Sequence, residues 1–411
     1  MIQLLTKLIR SKTFLVLLGS ASLWAQKPDH LVMNMTFKDS SIQIDALYQS
    51  ISKEKIDSIY FLLNPGFDLD TINSKGLKSY KIAQKEGVSL PFYLLIFNKS
   101  IDKNEPFVVE FKYKIDLIQQ NHMKSNWIEL NADKLWFPNQ HSLNNKLTYE
   151  VSISNFPPTY FLITHTDAKV TKNKGQINIS KTTPWYEVLI LAGKSMKEWR
   201  YDKNIKIIGN ENIADATIQS IGLKVKNSID LLNTYFGMAD PITSFEVVLR
   251  NTQKEELGFQ FNRRNLIITG TDFNDYGNLS HEIAHFWWSK ANFIEEPWMN
   301  ESFANYSMYL VLKEYNYEDY KKVIARNRVI AETAIPVSKA SLFAADSYNS
   351  YYYKGSVLLI KLEERIGPEI MRKLLSSCVE KRIKTTETFL AELENLTNKS
   401  DRDFFENLLK S

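Results

Sequence analysis

His281-Glu282-Ile283-Ala284-His285, followed by Trp298-Met299-Asn300-Glu301-Ser302-Phe303-Ala304-Asn305-Tyr306, is the stretch on which the reading of this chain turns. On a helix, residues four apart share a face with Cβ atoms about 5–6 Å apart, so both imidazoles reach one metal ion. Glu282 lies one position round from His281, beside that metal, where a base activates a bound water. Glu301 follows His285 by sixteen residues, on the next helical segment, and supplies a third ligand. Two histidines and one glutamate leave a fourth position open to water. That is the donor set of a catalytic zinc site rather than of a closed structural one, with one Zn2+ expected per chain.

The five-residue motif alone is a weak signal, because two unrelated histidines on a solvated helix face also produce it. Two further observations favour the metal. The other four histidines (His30, His122, His141 and His165) all lie in the first half of the chain. The segment carrying Glu301 is also patterned as a helix: Pro297 suits a first helical position, and Met299, Phe303, Met308 and Leu312 bury one stripe. Around the motif, Trp287 and Trp288 read as packing for the site helix. Asn305, one turn past Glu301, reads either as an orienting partner for a metal-bound imidazole or as a polar residue facing solvent.

These motifs resemble those of the alanyl aminopeptidase (aminopeptidase N) family of gluzincin zinc metallopeptidases, whose sites read HExxHxW and W-x-N-E-x-F-A-x-Y. Three further segments fall in the family's chain order. Tyr352-Tyr353-Lys354-Gly355 looks like its Y-x-K-G, which implies that the Tyr352 hydroxyl faces the zinc and donates to the oxyanion of a tetrahedral intermediate. Glu129 to Pro138, with Lys146 beyond, looks like its E-x-x-x-A-R-x-x-F-P…K segment, which implies that Glu129 binds a substrate's α-amine. Gly258-Phe259-Gln260-Phe261-Asn262 stands in the place of its G-x-M-E-N. The likeness covers roughly residues 30–370. It implies an N-terminal antiparallel β-sandwich followed by a thermolysin-like, mostly helical zinc peptidase domain, and a peptide substrate.

The chain departs from the family pattern in three ways. The interval from His285 to Glu301 is a few residues shorter than usual, which a loop deletion absorbs. Phe261 occupies the position of the glutamate that, with Glu129's counterpart, anchors the α-amine, and Glu255 and Glu256 lie just before Gly258. Nothing resembles the family's large helical C-terminal domain. The leading reading is therefore an aminopeptidase-like metallopeptidase in which Glu282 is the general base, with Glu129, Gly258 and Phe261 lining the substrate site. Its rivals are a metallopeptidase that needs no free N-terminus and a catalytically inactive peptide-binding homologue. A binder, however, has no need of a base beside an open zinc.

At 411 residues, 44% hydrophobic and 24% charged, the chain has room for two domains and the composition of a globular protein. Its first 25 residues differ. Lys7, Arg10 and Lys12 precede an apolar run from Thr13 to Leu23, with Ala25 before Gln26, the pattern of a signal peptide cut after Ala25. The run is well short of the ~20 apolar residues that span a bilayer, so export to a periplasmic or extracellular location is expected without a transmembrane span. Removing three positive charges takes the formal net charge from +4 to +1. A chain so near neutrality has no basic field for nucleic acid. Cys378, the only cysteine, cannot form an internal disulfide and reads as a small buried hydrophobe.

The expected domains are 1–25 (signal peptide), 26–207 (β-sandwich) and 208–411 (catalytic). Apolar residues alternate with mostly polar ones in Phe107–Leu117 and Lys146–Ser154, the period of half-buried strands. Shorter runs at Ile56–Leu63, Phe92–Phe97, Tyr160–His165 and Glu187–Ala192 sit between turn residues. From Ala214 to Phe236 the spacing of Ile218, Ile221, Val225, Ile229, Leu232 and Phe236 is helical, with Gly237 as a stop. Phe245–Leu249 and Leu266–Thr269 are short strand candidates, and from Asp275 onward the pattern is almost all helical.

Overall fold

The computed structural model describes residues 28–84, 91–140, 145–236, 239–252, 260–293, 295–341 and 346–411. The expected signal peptide, Gly237, Glu255, Glu256 and Gly258 lie outside the described residues. The chain divides into two compact units. One runs to Met123 and adds Ile128–Pro158 and Asp167–Leu191; the other takes Lys124–Trp127, Thr159–Thr166 and Ala192–Ser411. The sequence placed the division at 207/208, and the strands Met196–Arg200 and Ile205–Asn210 fall in the second unit.

Most of the first unit is built on two sheets. Their strands are β1 (Asp29–Lys38), β2 (Ser41–Ile51), β3 (Ile56–Leu62), β4 (Asp68–Ser74), β5 (Leu77–Gln84), β6 (Pro91–Ile101), β7 (Pro106–Asp116), β8 (Asn139–Gln140), β9 (Leu147–Ser154), β10 (Lys169–Asn173) and β11 (Gln176–Trp185). Seven form a sheet in the order β10-β11-β9-β1-β2-β7-β4, and four form another in the order β8-β3-β6-β5. The predicted alternation holds in β7, where Phe107, Val109, Phe111, Tyr113 and Ile115 are buried between more exposed neighbours. The buried faces meet as in a sandwich: the Phe61 ring of β3 lies edge-on to Tyr48 of β2 at 4.9 Å and to Phe111 of β7 at 5.1 Å. One neighbouring pair, β1 with β9, runs parallel, from Asp29 beside Leu147 to Thr36 beside Ser154. No hairpin joins these two strands, so no tight turn constrains their direction.

His122 is fully buried in this unit beside the Phe67 ring. Burial first, and then the charge of Lys134, push its pKa down to about 4. A base whose pKa is lowered by folding contributes stability above its unfolded value near 6.5 and loses it as pH falls toward 4. Acidification across that window should cost about 3 kcal/mol through this residue alone. Thermal unfolding followed at pH 7 and pH 4.5 should show that loss, and His122→Phe should flatten it. An equal acid loss in the variant would show that His122 is not its source.

The second unit has a five-stranded sheet, β12 (Met196–Arg200), β13 (Ile205–Asn210), β14 (Phe245–Leu249), β15 (Phe261–Asn262) and β16 (Leu266–Thr269), in the order β12-β13-β14-β16-β15. The pairs β13/β14 and β14/β16 are parallel, and short β15 is an antiparallel edge. Helix α1 (Asp215–Phe236) connects β13 to β14 and buries the six apolar positions that the spacing predicted. Gly222 is required there, because a Cβ would stand 2.1 Å from the Tyr201 ring.

Helices α2 (Tyr276–Ala284), α3 (Pro297–Tyr315), α4 (Tyr317–Thr333), α5 (Gly355–Ile366), α6 (Pro368–Glu380), α7 (Thr386–Leu396) and α8 (Lys399–Lys410) complete the unit. The single buried stripe predicted for α3 is corrected: every residue from Pro297 to Leu312 is buried. A polar side chain can enter such a position only with hydrogen-bonding partners. Asn300 exchanges bonds with the Ala291 backbone, Ser302 donates to Tyr351 O, and Ser307 donates to Phe303 O while accepting from Trp288 Nε1. At the C-terminal end Trp298, Phe303, Phe389 and Phe405 form a continuous aromatic contact, with rings 5.4–5.6 Å apart. Cys378 is buried, as predicted. No helix among the described residues is long and apolar enough to cross a membrane.

Candidate metal centre

Helix α2 begins at Asp275, whose side chain accepts from Asn278 N at 2.8 Å, and ends at Ala284. His285 is its C-cap, still helical in backbone, so the two imidazoles come from successive turns of one face. Pro297 starts α3 and places Glu301 in its second turn. The structure brings the three side chains together. His281 Nε2 and His285 Nε2 lie 3.2 Å apart, and each is 3.5 Å from Glu301 Oε2. Ligands about 2.0–2.2 Å from a tetrahedral zinc are separated by roughly 3.3–3.5 Å, so this triangle has the size the ion requires.

The surroundings turn each donor inward. His281 Nδ1 lies 3.0 Å from Asn305 Oδ1, and His285 Nδ1 lies 3.0 Å from Trp288 O. Each acceptor holds a proton on Nδ1 and leaves the Nε2 lone pair facing the other ligands. Of the two readings of Asn305, the structure shows the orienting one, because its Nδ2 also donates to Tyr352 O at 2.8 Å. Among the described residues Glu301 Oε2 is buried without a hydrogen-bond partner, an arrangement that suits an atom meant for a cation.

The charges agree with this reading. Burial acts to raise the pKa of Glu301, but the two imidazoles overcome it and hold the carboxyl well below the usual range. Burial opposes protonation of His285, yet Glu301 carries its pKa up to about 9. His285 so charged would give up its proton to a bound cation. Glu282 is buried on the same helix, and burial pushes its carboxyl up against the opposing charges of His281 and His285. Arg263 is among the positive charges that act on it.

Tyr352 sits on a widened turn, a π-helix at Ser350–Lys354 that leads into α5. Its ring lies 6.0 Å from that of His281 at a shallow angle of 24°. Burial first, and then the Glu301 carboxylate, raise its pKa far above the ordinary value, so the hydroxyl stays protonated and can donate. The widened turn frees carbonyls that an α-helix would pair. Ser302 and Asn305 of α3 take those of Tyr351 and Tyr352, and Ser356 takes that of Tyr353. Tyr352 is thus mounted on the helix that carries Glu301. Gly355 permits the approach, since a Cβ there would meet Ser302 Oγ at 2.0 Å. Lys354 Nζ donates to Ala334 O at 2.9 Å, at the end of α4.

The proposed substrate residues are placed less uniformly. Phe261 is buried on the edge strand β15 of the same unit. Glu129 belongs to the first unit, on the strand Trp127–Leu130, and its Oε1 accepts from Asn131 Nδ2 at 3.0 Å. Gly258 lies outside the described residues. The sequence reading did not pick out Asn278 and Gln260. Gln260 Nε2 donates to Asn278 Oδ1 at 3.3 Å, and Gln260 Oε1 accepts from Thr269 Oγ1. Asn278 precedes Glu282 by four residues, and that helical spacing was the signal available for it.

No protein-family model matches the sequence, and no relative was found among curated proteins. Solved structures do match. An M1 zinc metallopeptidase from Deinococcus radiodurans superposes with a TM-score of 0.66 at 14% identity, covering 94% of each chain. A mutant of that enzyme bound to a Tyr-Ser-Ala substrate gives 0.66 at 14% identity, covering 93% of this chain and 94% of that one. Leukotriene A4 hydrolase from Saccharomyces cerevisiae gives 0.68 at 15% identity, covering 96% of this chain and 70% of that one. At such identities the likeness is one of fold, and the chain has the two-domain M1 peptidase fold.

Proposed function

We propose that this protein is an exported zinc metallopeptidase that hydrolyses peptide bonds. One observation carries the reading: three inward-facing donors at 3.2, 3.5 and 3.5 Å, each imidazole backed by its own acceptor. His281, His285 and Glu301 would hold the metal, which when bound would polarise the scissile carbonyl and make the attacking water more acidic. Glu282 takes the proton from that water and passes it to the leaving amine. Tyr352 donates its hydroxyl hydrogen to the developing oxyanion. The fold shared with an enzyme solved with a Tyr-Ser-Ala substrate supports short peptides as substrates. Export rests on Lys7, Arg10, Lys12 and the apolar run behind them.

Removal of N-terminal residues is the leading form of the activity, with Glu129 as the amine anchor. Phe261 favours a second reading, in which a free amine is not needed. Zinc-loaded protein assayed on paired free and N-acetylated peptides separates the two. A chelator should abolish turnover and added Zn2+ restore it; no cleavage across a broad peptide library would leave only a binding role. Tyr352→Phe should lower kcat by about 10²–10³-fold with little change in KM, as loss of one preorganised donor does. A change confined to KM would assign Tyr352 to binding instead.

A further inference from the structure

The buried stripe of α4 consists of Ile324, Asn327 and Ala331, and its middle member is polar. An amide takes such a place only when its hydrogen bonds are met within the protein. Asn327 Nδ2 donates to the hydroxyl of Tyr309, on α3, at 2.7 Å. That hydroxyl lies 2.8 Å from Ser356 Oγ, at the start of α5, and Ser356 Oγ donates to Tyr353 O at 2.8 Å. Serine has one hydrogen to give, so the Tyr309 hydroxyl is the donor to Ser356. Arg326 Nε, on the exposed side of α4, donates to Asn327 Oδ1 at 3.0 Å. Every bond in the series therefore runs the same way, from a cation to the carbonyl of the residue after Tyr352. Bonds so aligned strengthen one another. Arg326 Cζ also lies 5.6 Å from the centre of the Tyr353 ring. The segment just after α4 holds the same turn at two more points, since Ser350 Oγ donates to Ile335 O at 2.7 Å and Lys354 Nζ to Ala334 O.

We propose that Tyr309, acting through Ser356, is a positioning residue that fixes where the Tyr352 hydroxyl stands relative to His281 and Glu301. The inference rests on the reading of Tyr352 as the oxyanion donor and names the groups that keep it in place. A widened turn leaves carbonyls without helical partners, so its shape is set by whatever bonds them. Asn305 holds the carbonyl of Tyr352 from α3, and the series from Asn327 holds the next carbonyl from α4. A displaced Tyr352 leaves the three clustered donors as they are but donates less well, because an oxyanion donor works only within a narrow range of distance. Phenylalanine at position 309 fills nearly the same space and leaves Ser356 Oγ and Asn327 Nδ2 without that partner.

The test is a double-mutant cycle on zinc-loaded protein, with Tyr309→Phe and Ser356→Ala each made alone and in the Tyr352→Phe background. One readout is kcat and KM on a peptide that the unaltered protein cleaves. The other, apart from turnover, is the affinity of 1-aminoethylphosphonate and its N-acetyl form by calorimetry, the tetrahedral phosphonate standing in for the oxyanion. Either single change should lower kcat about 10-fold with KM little altered, and weaken the tighter-bound phosphonate by a similar factor. In the Tyr352→Phe background neither should have any further effect, because no hydroxyl remains to be placed. A purely structural role would cost the same in both backgrounds. Ser356→Ala removes a single oxygen and carries the test if Tyr309→Phe does not fold. Unaltered values in either single variant, or losses that persist in the Tyr352→Phe background, overturn the inference. Coupled losses of phosphonate affinity in a protein that cleaves no peptide would instead sink the peptidase reading and leave the positioning role standing.

Discussion

Glu282→Gln should leave zinc bound and cut peptide hydrolysis by about 10²–10⁴-fold or more, equivalent to about 3–5 kcal/mol of transition-state stabilisation. Glutamine has the volume of glutamate, so the buried position on α2 is filled as before. The three clustered donors do not include Glu282, so its replacement leaves the ligand set intact. What is lost is the ability to take a proton from water and return it to the leaving amine. Glutamine cannot do either, and another base would have to act from farther away. The expected pattern is a matching fall in kcat and kcat/KM, with zinc content and melting temperature close to those of the unaltered protein. Unchanged turnover would remove Glu282 from the mechanism.

His281→Ala or His285→Ala should abolish zinc retention and with it all turnover. With one donor gone, two ligands remain from a set of three. The accompanying change in stability is a second readout. Free zinc at about 1,000 times its dissociation constant stabilises a folded protein by about 4 kcal/mol, so the unaltered protein should melt lower after chelation. Neither alanine variant should respond to zinc or chelator. Asn305→Ala keeps all three ligands and removes only the partner of His281 Nδ1, so zinc affinity should fall by about 10–100-fold without being lost. Full zinc content in the His285→Ala protein after dialysis would remove that histidine from the ligand set.

Local patterns made the cluster of donors and much of the fold readable. The alternation in Phe107–Leu117, the helical spacing from Ala214 to Phe236 and the interval between His281 and His285 each depend on a few neighbouring residues, and each appears in the structure where expected. Features set by distant partners were harder to read. Ser302, Asn305 and Ser307 look like the polar side of an amphipathic helix, yet all three are buried, because carbonyls and rings from other segments satisfy them. The parallel pairing of β1 with β9 joins stretches more than a hundred residues apart, which no local period encodes. The widened turn at Ser350–Lys354 is a departure from helical spacing, so a search for that spacing passes over it. The stack of Arg263 and Arg250 on Phe261 unites three positions whose common ring contact appears only after β14, β15 and β16 have assembled.

The enclosure of α3 has a consequence for how this scaffold can diversify. From Pro297 to Leu312 the helix has no side open to water. A substitution there that suits the chemistry must also fit the packing, and few changes satisfy both demands. Inherited variation in what the protein cleaves is therefore pushed to the margin of the site. The two-residue edge strand β15 lies outside the helices that carry the three clustered donors. That is also where this chain replaces a glutamate of the pattern it resembles with Phe261, while His281, Glu282, His285 and Glu301 keep theirs.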